Sequence, residues 1–241
     1  MPLVAAAVCP HPPLLVPEVA GAAAPELDDL RAACETAVRR LVAANPDTVV
    51  LLGAGPASGS IRPPATGSLQ PWGVDLDVPL VPGQPDRGAV LPLSLTIGAW
   101  LLNHHAASPL ANARVTAVQV TADAAPAELA ALAGDVAAAG DRVALLVLGD
   151  GSACRGEKSP GYDDPRALAY DKRVATALAG ADVDGLRGLD PGLSAQLKVA
   201  GWAPWQVLAR AAGSAGGWRG ELLYESAPYG VAYFVASWER V

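Results

Sequence analysis

The sequence is poor in charge, in aromatic rings and in the side chains that most often do chemistry. Only 17% of its 241 residues are charged and 5% are aromatic, and it has three His and three Cys. With 51% hydrophobic residues, that balance is the reverse of a disordered chain's. Lys and Arg number 17 against 24 Asp and Glu, a formal charge of -7, and they form no run. Nucleic acid is therefore not an expected partner, because the basic footprint it needs is missing. An anionic membrane surface is equally unsupported. No apolar stretch reaches the ~18 residues of a membrane span. Met1-Pro2-Leu3-Val4 carries no basic n-region and runs into Pro10, Pro12 and Pro13, unlike a signal peptide. The expectation is a cytoplasmic protein. Cys9, Cys34 and Cys154 are odd in number and lack CxxC spacing, which argues against a disulfide framework or a four-Cys zinc site.

What is present is an alternation of apolar runs and amphipathic stretches. Residues 3–9 (LVAAAVC), 48–53 (TVVLLG), 114–121 (RVTAVQVT) and 143–150 (VALLVLGD) read as buried strands. Pro25, the acids behind it and a 3.6-residue apolar period predict a helix over about 25–44. Strand, helix, strand at this spacing is a parallel crossover. Further helices are expected at 93–106, 126–139, 163–178, about 190–200 and 203–213. Residues 54–72 read as a long Gly/Pro/Ser loop, 73–80 as an edge strand, and 220–226 with 230–238 as a terminal hairpin. The expected fold class is α/β: a single domain over 1–241, with a mostly parallel central sheet flanked by helices and an antiparallel C-terminal hairpin.

In such sheets, ligands bind at the carboxyl ends of the strands. Cys9-Pro10-His11, Gly53-Ala54-Gly55-Pro56 and Gly149-Asp150-Gly151-Ser152-Ala153-Cys154 all fall there. Prolines on both sides hold His11, which suits a metal ligand or a general base; a loop-capping histidine is the plain alternative. Ser152 reads as a nucleophile if His11 is in reach, or as a turn serine bonded to nearby backbone. Arg155 is positioned to clamp an anion or to sit in a solvated charged loop beside Tyr162, and both are candidate ligand-binding residues. Cys9, His11 and Cys154 would make a soft site for zinc or copper, although free cysteines are more often buried hydrophobes. His104 and His105 are adjacent on a helix, about 100° apart, so at most one faces any shared site. Trp72, Trp202 and Trp205 offer an aromatic wall or a core.

PHPPLLVPEV (10–19) resembles the opening motif of the class III extradiol dioxygenase catalytic-subunit superfamily, which includes the Memo-like proteins. DTVVLLGAGP, GDGSACRGEKSPGYDDPRALAYDKRV and LKVAGWAPWQVLARAAG are similar to later segments of that family, in the same order along nearly the whole chain. The resemblance implies an α/β fold and, in the enzymes, a non-haem Fe(II) held by two His and a Glu, with a further His as acid/base. Residue by residue, His11 matches the first ligand, and Asp150 and Ser152 match the Gly-Asp-x-Ser segment. The second ligand falls at or beside Pro56, the acid/base His at Ala153 and the Memo-like Cys at Ala200. The site residues expected from all this are His11, Asp150 and Ser152 for catalysis, Arg155 and Tyr162 for ligand, and His11 for metal. The leading expectation is a diverged family member with a degenerate iron site, binding a small anionic or aromatic molecule without a cofactor. The alternatives are an active Fe(II) ring-cleavage dioxygenase with relocated ligands, such as His11 with His104 or His105, a non-catalytic interaction protein that oligomerises through the hairpin, and a metal-independent hydrolase using Ser152 and His11.

Overall fold

The structure, a computed structural model, describes residues 2–84, 88–105, 113–213 and 217–241. In chain order the elements are β1 (Leu3–Cys9), α1 (Pro17–Ala20), α2 (Asp28–Ala43), β2 (Thr48–Ala54), β3 (Gly59–Ile61), β4 (Ala65–Ser68), β5 (Asp77–Pro79), β6 (Ala89–Val90) and α3 (Leu93–His105). Then come β7 (Arg114–Val120), α4 (Pro126–Ala137), β8 (Val143–Leu148), α5 (Ala167–Ala179), α6 (Val183–Arg187), α7 (Pro191–Gln196), α8 (Trp202–Ala211), β9 (Trp218–Ser226) and β10 (Tyr233–Arg240).

Seven strands form one sheet in the order β3-β7-β2-β8-β1-β10-β9. The central four are parallel, while β3, β10 and β9 join antiparallel. The sheet is therefore mixed, which corrects the expectation of a mostly parallel one. The hairpin contributes two full-length strands and the 54–72 segment adds β3, so antiparallel pairings equal the parallel ones. Nor are β1 and β2 neighbours, since β8 inserts between them.

The strands are apolar on both sides because both faces are covered. Ala6, Val8, Val50, Leu52, Leu145 and Val147 pack under α4, α5, α6 and α8. Ala5, Ala7, Cys9, Val49, Leu51, Leu146 and Leu148 face α2 and α3. Two cores separated by one sheet result from the two-residue alternation of side chains.

Several boundaries differ from expectation. Pro25 lies inside a 3-10 segment (Gly21–Leu27), and the regular helix starts at Asp28, where two acids face the helix dipole. Residues 54–72 are not one loop: β3 and β4 form within them, and β4 joins β5 and β6 in a three-stranded sheet that meets α3. The 73–80 strand shrinks to β5. The helix expected from 163 begins at Ala167, and α6 was not foreseen. The expected helix end at Ala106 lies outside the described residues. No helix among the described residues is long and apolar enough to cross a membrane.

Candidate functional site at the carboxyl ends of the parallel strands

The loop after β8, Gly149–Arg155, crosses the carboxyl ends of β8 and β1 and is bonded to almost everything around it. Gly149 N–H donates to Cys9 O (3.0 Å), Gly151 N–H to Ala232 O (2.7 Å), Ala153 N–H to Leu197 O (2.9 Å) and Arg155 N–H to Gly230 O (3.0 Å). In return, Asp150 O accepts from Gly201 N–H (2.8 Å) and Ser152 O from Ala232 N–H (2.8 Å). Two glycines permit this approach. A Cβ on Gly149 would stand 2.5 Å from Gly201 Cα, and one on Gly151 would stand 2.6 Å from Phe234 Cε2. The glycines of the Gly-Asp-Gly-Ser segment are thus a packing requirement.

Asp150 turns toward His11. The His11 backbone N–H donates to Asp150 Oδ1 at 2.9 Å, and the imidazole Nδ1 lies 3.5 Å from the same oxygen. His11 is 9% exposed, and Nδ1 has no hydrogen-bond partner. Tyr233, the first residue of β10, is close enough to feel the Asp150 carboxylate. Burial first, then that charge, push its phenol well above the usual tyrosine range. His11 and Asp150 are thus brought together from two strand ends, with Tyr233 nearby at the start of β10.

Ser152 turns the other way. It is fully buried; its N–H donates to Asp171 Oδ1 (3.0 Å) and its hydroxyl to Asp171 Oδ2 (2.6 Å). Asp171 is itself fully buried and also accepts from Arg155 Nη1 at 3.0 Å. The serine is a turn residue clamped by a carboxylate, and Arg155 neutralises that carboxylate. A hydroxyl with no exposed surface does not present a nucleophile. Tyr162, at φ 62, is 76% exposed on the loop beyond.

Asp171 was missed in the sequence, although it left a signal. It is a carboxylate at a core-facing position of an amphipathic helix, in register with Ala167, Val174, Ala175 and Leu178. Tyr233 gave no signal, because only the folded sheet brings the start of β10 against the loop after β8.

The residues present do not fit the Fe(II) centre that the family resemblance implies. Pro56, Ala153 and Ala200 offer no donor side chain, and His11 is the sole imidazole at this end of the sheet. His104 and His105 close the far end of α3, whose Ser94 hydroxyl donates to Ala54 O (2.6 Å) at the carboxyl end of β2. Ten residues of helix place His104 about 15 Å further off. There, His104 Nδ1 meets Trp100 O (2.8 Å) and stacks on Trp100, and burial lowers the pKa of His105. The soft site is not assembled either: Cys9 packs in the α2/α3 core beside Cys34, and Cys154 in the other core, directed at Gly161 O and Leu197 O. Among the described residues, no group of three His, Cys, Asp or Glu is arranged to hold a metal ion. The tryptophans form no wall, since Trp205 is core, Trp202 donates to Leu189 O (3.3 Å) and Trp72 is exposed.

No family model matches the chain, and no curated protein matches it. Among solved structures it is similar to the uncharacterized protein JW3007 from Escherichia coli K12, with a TM-score of 0.57 and 15% identity over 98% of this chain and 99% of that one. That likeness concerns the α/β fold alone.

Proposed function

We propose that this protein is a diverged member of the extradiol dioxygenase-like superfamily that binds a small aromatic or anionic molecule at the carboxyl ends of its parallel strands, without iron. The observation that supports this reading is the His11–Asp150 pair, nine-tenths buried at its imidazole and unaccompanied by a second imidazole. Asp150 is anchored by the His11 backbone N–H and faces Nδ1. A carboxylate in that place favours the tautomer with hydrogen on Nδ1 and leaves Nε2 as the acceptor. Such an imidazole can take a hydrogen bond or a proton from a ligand hydroxyl. The Tyr233 phenol, held protonated by burial and by the nearby Asp150 charge, is a further donor in this region. A hydroxylated aromatic compound matches that set of groups. Arg155 is committed to Asp171, so it balances internal charge and leaves ligand contact to His11 and Tyr233.

Titration of the protein with catechol, a hydroxylated ring without an anionic group, tests this reading. Saturable binding is expected, weakened about tenfold in His11→Ala and Asp150→Asn by the loss of one charge-assisted hydrogen bond. Anaerobic titration with Fe(II) is expected to leave no stoichiometric iron. One iron per chain, lost in His11→Ala, would instead establish a working metal centre.

A further inference from the structure

A cleft of about 670 Å³ opens at the other edge of the sheet, away from His11. Its origin is the length of β3. That strand pairs with β7 only at Gln119, Val118 and Ala117, and the chain then leaves through Arg62 and Pro63. Arg114, Val115 and Thr116 keep β2 as their partner on one side and, among the described residues, have no strand on the other. The gap is walled by Ala138 and Ala139, just past the end of α4, and Thr116 and Val118 lie beneath it on one face of β7. Two guanidinium side chains, Arg62 and Arg114, and one carboxylate, Asp135, line it. Arg114 is braced by Ala139 O (2.9 Å). Arg62 has no hydrogen-bond or ion-pair partner among the described residues.

We propose that this cleft is a binding site for a small organic anion, a carboxylate or a phosphate monoester on an apolar body. Two cations against one carboxylate line the cleft, a positive balance in a chain of net charge -7. Arg62 and Arg114 hold the anionic group, with planar forks suited to either oxyanion. The apolar body lies against Pro63, Ala138 and Ala139, the apolar lining residues that reach the surface. The volume falls within the range of ordinary ligand pockets, about 300–1,000 Å³. Thr116 adds a hydroxyl, already directed at Ile61 O (3.2 Å), that fixes the floor of the cleft. This site is independent of the strand-end site and of the reading given to it.

Calorimetric titration of the full chain with phenyl phosphate, benzoate and inorganic phosphate tests the proposal. One aromatic anion per chain is expected, weakened about tenfold in Arg62→Ala. Ala138→Trp, which fills the cleft and removes no charge, is expected to abolish it, whereas His11→Ala leaves it unchanged. Tighter binding of phenyl phosphate assigns a phosphate monoester, and tighter binding of benzoate a carboxylate. Absence of heat with both aromatic anions at millimolar concentration, or binding that survives both cleft variants, overturns the proposal. Inorganic phosphate binding as tightly as phenyl phosphate overturns the role given to the apolar wall.

Discussion

The loop after β8 and the free half of β7 solve opposite problems with the same backbone. In Gly149–Arg155 the carbonyls and N–H groups are tied to β1, α8, β10 and the end of α7, and the side chains are packed to contact distance. Along Arg114–Thr116 one side of the strand has no partner strand among the described residues, and two exposed guanidinium groups and the Asp135 carboxylate line the cleft left there. A saturated loop holds a single imidazole rigidly and leaves no slack. An unsaturated edge has room, and its charged groups reach solvent, where a ligand can meet them. Stability and binding should therefore respond to mutation in opposite ways at the two places.

The sharpest way to break this contrast is Asp171→Ala. It strands the Ser152 N–H, the Ser152 hydroxyl and Arg155 around a buried gap, and a loss of about 3–5 kcal/mol is expected in urea unfolding. Next comes Tyr170, whose phenol burial pushes up to about 12 while its hydrogen bond with Ser194 opposes the shift. A raised acid favours the neutral form, so this contribution is complete below about pH 10 and lost as pH rises toward 12. At roughly two pKa units it is worth about 2–3 kcal/mol. Alkaline unfolding followed in Tyr170→Phe should lose that part of the pH dependence. Gly151→Ala sets a methyl against Phe234 and Ala232 and is expected to cost about 1–3 kcal/mol. Ser152→Ala removes one hydroxyl from a carboxylate that keeps two other donors, for about 1–2 kcal/mol by thermal unfolding. At the edge, Arg62→Ala should shift unfolding by less than about 0.5 kcal/mol while weakening anion binding. Equal stability losses at Asp171 and Arg62 would erase the distinction.

The strand runs were legible because both faces of the sheet are covered, which leaves near-continuous apolar segments in β1, β2 and β8. Amphipathic helices were legible for the same physical reason, down to the acids that open α2. The three-stranded sheet was not. Its strands are two to four residues long, and strands that short carry no usable period. His11 and Asp150 were found by place: a proline-bound imidazole and a Gly-Asp-Gly turn, each at a predicted strand end. Ser152 left two readings open, nucleophile or turn serine, because the chain does not announce its partner, which lies 19 residues on, on a helix face. The cleft beside β7 was invisible, since it arises where a neighbouring strand stops.

By itself, then, the sequence determined the alternation of elements, the side each residue shows to the core, and the rigid presentation of His11 at a strand end. These depend on neighbours a few residues apart, where periodicity and backbone restriction act directly. Tertiary structure alone decided that β8 lies between β1 and β2, that Asp150 faces His11 while Ser152 faces Asp171, and that His104 and His105 sit a helix length from the strand ends. Each of these is a choice of partner across long sequence separation, made by the packing of whole elements, and no local pattern of residues encodes it.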